Sequence, residues 1–360
     1  MKMILRWFPY GDDSVTLEQI RQTPGVSGVA ACMQKIPVGE VWPLEGLQEL
    51  KAEINAAGLE MEVIESVNIH EDIKKGVPSR DRYIDNYIET IKNLSKVGVK
   101  CICYNFMPVM DWARSDAAYR IEDGSTVMAY NHEDVLARNP NSMAKAMLSN
   151  SKGYSLPGWE PERLEQMARD IEFYQDVSKD QYWENMEYFL KRIIPHAEEH
   201  DVRMAIHPDD PPWELYGLPK VITSAENIRT FLSLNDSPYN GICLCTGSLG
   251  ANLDNDVVAI IREIAPTGRI PFAHIRNLRH SSSKDFHETA HMSGYGEQDM
   301  FETIKAFYDA GFEGYIRPDH GRMIWNEQAR PGYGLYDRAL GANYLMGLWE
   351  AVDKMKKISS

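Results

Sequence analysis

The segment Val202-Arg203-Met204-Ala205-Ile206-His207 is a short apolar run that ends in a residue able to bind a metal. Three later segments repeat this pattern: Cys243-Leu244-Cys245, Phe272-Ala273-His274 and Ile316-Arg317-Pro318-Asp319-His320. If these runs are consecutive parallel strands, their carboxyl ends meet at one end of a barrel. Imidazole, thiolate and carboxylate groups would then converge there, and together they can hold a divalent cation.

Eight apolar runs of strand length recur along the chain, and eight is the number of strands in a closed (β/α)8 barrel. The runs cover residues 3–8, 26–33, 59–67, 99–106, 202–208, 241–246, 270–276 and 314–317. Between most of them lie segments with helical periodicity, at residues 44–57, 80–97, 181–200, 225–234, 254–264 and 299–310. Because alternating strands and helices favour parallel pairing, the sequence predicts an α/β fold: one TIM-barrel domain over residues 1–360.

One connection is far longer than a usual loop between a strand and a helix. Segment 107–180 follows the fourth run and contains Asp111-Trp112, Leu156-Pro157-Gly158-Trp159 and a predicted helix over 160–174. Long insertions at this end of a barrel commonly form lids, and an oligomerisation arm explains the segment equally well. Its aromatic residues favour a homodimer. A further helix, over 337–354, is predicted to close the barrel at the C-terminus.

The formal net charge of −15 excludes a nucleic-acid partner, because phosphate binding needs a basic surface. The same negative field repels an anionic small substrate. Such a substrate would need a local positive centre, which a buried metal with one or two arginines can supply.

The five cysteines lie inside apolar runs and do not resemble a disulfide framework, so we expect a reducing, cytoplasmic setting. Residues 1–8 are too short and too polar for a signal peptide. The chain also has no uninterrupted apolar stretch long enough to span a bilayer, so we expect no membrane partner.

Strand alternation places His207 on the barrel side with Ala205, while Met204 and Ile206 face the helices. Cys243 and Cys245 share a face by the same rule, but Cys245 alone stands at the carboxyl end, where barrel active sites lie. We therefore interpret His207 and Cys245 as metal ligands. The remaining cysteines are interpreted as small buried apolar residues.

His274 and Arg276 are two residues apart, so both are predicted to point into the barrel mouth. We interpret His274 as a ligand and Arg276 as the clamp for a substrate carboxylate, since a guanidinium binds carboxylate with two hydrogen bonds. The alternative for Arg276 is a salt bridge to Asp209 or Asp319.

Asp319 would supply the oxygen ligand of a site with two histidines, one cysteine and one aspartate. His320 would then be beside the metal, free to act as a general acid or base. A polar loop containing His280, His287, Glu288 and His291 is expected to be solvated or to surround the site. His196 and His200 are predicted to lie on the outer surface of a helix.

Phosphate-binding glycine loops, a dinucleotide fingerprint and a serine-hydrolase elbow have no matching pattern in the sequence. Metal-assisted chemistry is the class that remains.

At these residues the chain resembles the D-mannonate dehydratases of hexuronate (glucuronate) degradation, over nearly its full length. The matching blocks are Arg6-Trp7-Phe8, Glu65-Ser66, His70-Glu71-Asp72-Ile73-Lys74, Asn105-Phe106-Met107-Pro108-Val109-Met110-Asp111-Trp112, His207-Pro208-Asp209-Asp210-Pro211-Pro212, Cys245-Thr246-Gly247-Ser248, His274-Ile275-Arg276-Asn277 and Arg317-Pro318-Asp319-His320-Gly321-Arg322.

The resemblance implies a metal-dependent barrel of the xylose-isomerase-like group. It also implies a lyase that converts D-mannonate to 2-dehydro-3-deoxy-D-gluconate and water with Mn²⁺ or Fe²⁺. Carried over by motif, the functional residues fall into three groups: the metal ligands His207, Cys245, His274 and Asp319, the proton-transfer residues His320 and Tyr333, and the substrate-binding residues Arg276, Asn277 and Asn105.

The sequence leaves the order of proton transfer and the identity of the metal undetermined. One of His320 and Tyr333 takes the C2 proton and the other protonates the departing 3-hydroxyl, in an order that the sequence leaves undetermined. The thiolate would also suit Zn²⁺, which intrinsic affinity favours over manganese.

Three other functions are alternatives to mannonate dehydration. A metal-dependent sugar isomerase or epimerase on the same barrel generally has more carboxylate ligands and no cysteine. A zinc phosphodiesterase would want several metals and a basic surface. A non-catalytic scaffold held together by metal would melt on chelation.

Overall fold

The computed structural model describes residues 1–139, 142, 143, 145, 149, 151–154, 156, 159 and 161–359, without the side chains of 161–165 and 359. Three residues singled out in the insertion, Pro157, Gly158 and Glu160, lie outside this set.

The described residues form twelve β-strands, eight of which close into a barrel. The strands are β1 (Lys2–Arg6), β2 (Val26–Ala31), β3 (Glu60–Glu65), β4 (Cys101–Tyr104), β5 (Asp116–Arg120), β6 (Thr126–Tyr130), β7 (Arg203–Ile206), β8 (Asn240–Cys245), β9 (Phe272–Ile275), β10 (Leu278–His280), β11 (Phe286–Glu288) and β12 (Tyr315–Pro318). The barrel order is β1-β2-β3-β4-β7-β8-β9-β12, and parallel pairing of β12 with β1 closes it. All eight predicted strands are confirmed, and so is the predicted TIM barrel.

Twelve α-helices are present in the described part of the chain. They are α1 (Leu17–Gln22), α2 (Leu44–Ala56), α3 (Glu71–Lys75), α4 (Arg80–Lys96), α5 (His132–Ala137), α6 (Pro161–Tyr174), α7 (Lys179–Glu199), α8 (Ala225–Leu234), α9 (Thr246–Gly250), α10 (Val257–Ile264), α11 (Met300–Asp309) and α12 (Leu335–Ser359). The helix predicted from residue 254 begins instead at Val257, because the Asp256 side chain caps it by accepting from the Ala259 amide. None of these helices combines the length and the apolar character needed to cross a membrane.

Side chains alternate along the barrel strands between the interior and the surrounding helices, as the pleat requires. The interior cluster consists of Ile4, Ala30, Val63, Cys101, Cys103, Ala205, Cys243 and Phe272. Met204 and Ile206 pack instead into the larger cluster between strands and helices, as predicted. This cluster therefore fills the barrel interior below the carboxyl ends of the strands. The polar side chains of the barrel mouth lie above the cluster.

The insertion and the loop after β9 share a second, four-stranded antiparallel sheet of order β10-β11-β6-β5. Its strands join where Phe286 pairs with Tyr130, and these two rings stack at 5.4 Å between centroids. The expected polar loop is thus a β-hairpin. Glu288 and His291 within this region are 4% and 3% exposed, so of the two expected alternatives, solvated or surrounding the site, the solvated one does not apply to them.

Candidate active site

Four predicted metal ligands come from four neighbouring strand ends. Cys245 ends β8 and pairs in register with His274 of β9, while His207 follows β7 and Asp319 follows β12. Ligand atoms of His207, Cys245 and His274 lie within 4.8 Å of one another. Asp319 joins them, with Oδ2 3.6 Å from Cys245 Sγ and Oδ1 3.6 Å from His274 Nδ1. The structure therefore brings all four together at the carboxyl end of the barrel.

The orientation of the His207 ring suits a metal ligand. Its Nδ1 lies 2.7 Å from the carbonyl oxygen of Pro208. A carbonyl only accepts, so Nδ1 carries a proton, and Nε2 is the nitrogen left for a metal. This backbone contact is the arrangement that orients metal-binding histidines in general. Two imidazoles, a thiolate and a carboxylate then form a donor set that fits one divalent cation.

Cys245 is fully buried, and its surroundings favour the thiolate. Burial and Asp319 each raise the pKa of this thiol, but Arg276 and hydrogen bonds with His207 and His274 outweigh them and lower it to about 5. Ser248 adds hydrogen bonds to the sulfur from its amide and its hydroxyl, because Cys245 is the N-cap of α9. The anionic ligand form is thus present at neutral pH.

Arg317 links two carboxylates at the edge of this centre. Its Nη2 lies 2.9 Å from Glu65 Oε1 and 2.9 Å from Asp319 Oδ1. Burial raises the pKa of both carboxyls, but the neighbouring cations, Arg317 among them, hold each pKa well below its usual range. Glu65 also lies 3.6 Å from Nε2 of His274. Neither Glu65 nor Arg317 was predicted to have a role, although both face inward at strand ends.

Arg276 is occupied by internal ion pairs. Its guanidinium lies 2.8 Å from Asp210, 2.7 Å from Glu288 and 3.4 Å from Asp319. It is 1% exposed and is not part of the cavity wall. The salt-bridge alternative is therefore the one that the structure favours.

The partners of Arg276 extend this ion-pair network. Asp209 is not among them, since it pairs with Lys220. Arg114 of the insertion completes the network through Asp210 at 2.7 Å and Glu288 at 3.2 Å.

His320 is held by Glu288, which was expected from the sequence to be solvated or to surround the site. His320 Nδ1 lies 3.0 Å from Glu288 Oε1, and burial of Glu288 is outweighed by His320, Arg276 and Arg114, which lower its pKa to about 2. Nδ1 also lies 3.1 Å from Nη1 of Arg276. Nε2 lies 3.8 Å from Asp319 Oδ1, on the side of the predicted metal ligands.

Tyr333 packs edge-on against His320, with 5.1 Å between ring centroids. Burial raises the pKa of its phenol to about 12, although Arg317 lowers it in part. The phenol is therefore protonated at neutral pH.

A cavity opens above these groups. Side chains from the barrel and from the insertion line it together, among them Glu65, Asn105, Trp112, Met128, His207, His274, Arg317, Asp319, His320 and Tyr333. Asn105 thus reaches the cavity. Asn277 does not line it: its Nδ2 donates to Met292 O, and its Oδ1 accepts from the Leu278 and Gln298 amides.

Comparisons with known proteins show the family of this chain. The chain matches the family model described as UxuA, D-mannonate dehydratase, over residues 1–359. It is 57% identical over 357 residues to a mannonate dehydratase of Thermotoga petrophila, covering 99% of each chain.

Two solved structures bear on the fold. A mannonate dehydratase from Streptococcus suis serotype 2 matches with a TM-score of 0.90 and 44% identity, covering 99% of this chain and 96% of that one. A xylose isomerase domain protein from Planctomyces limnophilus matches with a TM-score of 0.55 and 13% identity, covering 98% of each chain, which is a likeness of fold alone.

Proposed function

The chain belongs to the D-mannonate dehydratase family, and from this premise we propose that it removes water from D-mannonate to give 2-dehydro-3-deoxy-D-gluconate in hexuronate catabolism. It is accordingly a hydro-lyase. The observation that carries the proposal is the convergence of His207, Cys245, His274 and Asp319 beside His320 in one cavity.

These four ligands would hold Mn²⁺ or Fe²⁺. A divalent cation bound there supplies Lewis-acid stabilisation of the negative charge that develops when the proton next to the substrate carboxylate is removed. The single thiolate leaves Zn²⁺ as a competitor for the same ligands, so metal rescue is part of the test below.

Arg317 takes over the substrate-attracting role that the sequence suggested for Arg276. Its side chain is on the cavity wall, whereas Arg276 lies beneath it and positions Asp319 and Glu288. A local cation is needed because the protein carries a net charge of −15 and repels a sugar acid at long range. Asn105 remains a substrate-binding residue, and Asn277 supports the wall behind it.

The positions of the two groups assign the base and the acid. His320, held through Nδ1 by Glu288 and with Nε2 on the side of the candidate metal ligands, removes the C2 proton. The electron pair left at C2 forms the C2–C3 double bond as the C3–O bond breaks. Tyr333 protonates the departing 3-hydroxyl, which leaves as water. The enol product then tautomerises to the 2-keto acid.

The test is a colour assay for 2-keto-3-deoxy acids with D-mannonate, after chelation and after re-addition of Mn²⁺, Fe²⁺ or Zn²⁺. We expect Mn²⁺ or Fe²⁺ to restore turnover. His320→Gln should lower kcat by about 10²–10⁴-fold with metal still bound. His196→Gln on the outer helix α7 is the matched control and should retain activity. Near-normal turnover of His320→Gln would refute the base assignment, and absence of the keto acid in every arm would refute the dehydratase function.

The sugar isomerase or epimerase alternative is not favoured, since the relatives with high identity are mannonate dehydratases and the epimerase-type folds match at low identity. An isomerase would consume the sugar without forming a 3-deoxy product, so the same assay separates the two functions.

The setting and assembly of the protein are also proposals. The five cysteines are free and buried, which supports a reducing cytoplasmic environment. Tyr119 and Phe173 of the insertion are 45% and 40% exposed, which supports use of this segment as a homodimer interface as well as a cavity lid. Sedimentation equilibrium tests the dimer.

A further inference from the structure

A second group of metal-binding side chains lies directly below the four-ligand centre. Cys103 of β4 and Cys243 of β8 both face the barrel interior, and the small Ala205 of the intervening strand β7 pairs in register with Cys103. Their sulfur atoms and one ring nitrogen of His274 lie within 4.8 Å of one another. All three residues are at most 2% exposed.

Two polar atoms beside this group lack hydrogen-bond partners in the described structure. They are Nε2 of His274 and Oε2 of Glu65, both buried and 3.6 Å apart. Glu65 pairs in register with Cys103, so its carboxylate ends the strand next to the thiol. An unpaired buried nitrogen is costly, and a cation is one way to satisfy it.

The His274 ring separates the two groups. Its Nδ1 lies 3.6 Å from Asp319, on the side of the four-ligand centre. Nε2 points away from that centre, toward Glu65. The ring is packed edge-on against Phe272 at 4.6 Å between centroids, which restricts its rotation. A single imidazole is therefore shared between two sets of ligands.

We propose that Cys103, Cys243 and His274 form a second cation site, selective for soft ions of the Zn²⁺, Cd²⁺ and Cu⁺ class. Two sulfurs and one imidazole nitrogen are the ligands that such ions prefer, and Glu65 can supply a fourth. Hard ions such as Mn²⁺ prefer the upper centre, which has one thiolate instead of two. Cys103 lines the cavity, which provides the route of entry.

Occupancy of this lower site excludes an ion from the upper one. Both sites need His274, and two dications held by one ring in a buried pocket repel each other strongly. The guanidinium of Arg317, 3.5 Å from Nδ1, adds positive charge at the same place. A neutral imidazole has only one lone pair, so an ion on Nε2 leaves Nδ1 protonated and unable to bind the metal above. A soft ion bound below therefore inhibits the enzyme. The second cation site goes beyond the proposed dehydratase activity, and the first experiment does not depend on that activity.

The first experiment is an anaerobic Cd²⁺ titration of the reduced, metal-free full chain, followed by the thiolate-to-cadmium charge-transfer absorbance. The lower site predicts the intensity of two thiolates, and the upper centre alone predicts one. Cys103→Ser and Cys243→Ala should each lower the signal by about half, whereas Cys245→Ser should leave it unchanged. Cys101→Ser is the matched control, since Cys101 faces the same interior from the same strand but is outside the group.

The result that overturns the proposal is a one-thiolate signal in the unmodified protein that disappears in Cys245→Ser and persists in Cys103→Ser. Circular dichroism identifies any variant that fails to fold, and the Cys103 and Cys243 substitutions test the same site independently. As a second measurement, Cd²⁺ should release Mn²⁺ from the loaded protein, detected by electron paramagnetic resonance. The concentration needed should rise at least tenfold in the Cys103→Ser variant, and an unchanged concentration would also refute the site.

Discussion

At the scale of single residues, the two proposed proton-transfer groups have different surroundings. Glu288 holds His320 through Nδ1, and Nε2 lies on the side of the four candidate metal ligands. Burial raises the pKa of Tyr333 to about 12 and so favours its neutral form. An elimination needs one group that takes a proton and one that gives a proton, and these are the roles proposed for His320 and Tyr333.

The Tyr333→Phe variant tests the acid role through its pH dependence. A pKa raised from 10 to about 12 means that the phenol keeps its proton from about pH 6 to about pH 10. We expect kcat to fall about 10²–10⁴-fold by an equal factor at every pH in this range, with the shape of the profile unchanged. Steady-state rates across the range check this. If Tyr333 were the base, the activity of the unmodified protein would instead rise about tenfold per pH unit.

At the scale of elements, the turn from β8 into helix α9 sets the position of Arg276. Thr246 Oγ1 accepts from the Arg276 amide and donates to its carbonyl, both at 2.8 Å. Gly247 then leaves room for the guanidinium, since a Cβ there would lie 2.1 Å from Arg276 Nε. Through Arg276, this short helix supports Glu288 and Asp319 on two other connections.

Gly247→Ala should therefore damage both stability and activity. The added methyl group forces Arg276 from its ion pairs, and overpacking of this kind costs about 1–3 kcal/mol of unfolding free energy. Urea denaturation measures the loss, and kcat should fall because His320 and Asp319 lose their support. Gly294→Ala is the control, because this exposed glycine has nothing within 4 Å of its Cβ position. Equal behaviour of the two variants would contradict the role given to α9.

At the scale of the whole molecule, the barrel holds together without contributions from a metal. Its closure depends on the β1–β12 pairing, and its interior is filled by an apolar cluster below the metal ligands. Asp210, which pairs with both Arg114 and Arg276, ties the insertion to the barrel. Binding of a metal therefore adds stability only by mass action.

Chelation should accordingly stop turnover without unfolding the protein. At a metal concentration a thousand times Kd, binding contributes about 4 kcal/mol, which for a chain of this length corresponds to about 5 °C in Tm. Calorimetry with and without chelator measures this shift, and circular dichroism at 25 °C should not change. A protein that loses its folded signal on chelation would instead be the metal-held scaffold considered above.

The eight barrel strands, the helices between most of them, the barrel class and the convergence of the four candidate ligands were predictable from the sequence. Local hydrophobic periodicity determines strands and helices, and parallel strands necessarily bring their carboxyl ends together. The partners of each charged side chain were not predictable. Arg276 forms ion pairs with Asp210 and Glu288, whereas Arg317 lines the cavity. Both outcomes depend on strand register and loop packing, which bring distant residues into contact.

The difference between what the sequence predicts and what only the tertiary structure decides has a physical reason. Whether a residue faces inward follows from its own strand, so His207 and Cys245 were correctly placed at the rim from sequence. Whether Glu288 is solvated or buried depends on the sheet that the insertion builds with β10 and β11, some 150 residues away in the chain. Alternation along a strand is a local property of the chain, whereas ion pairing and burial arise only once the tertiary structure has excluded water.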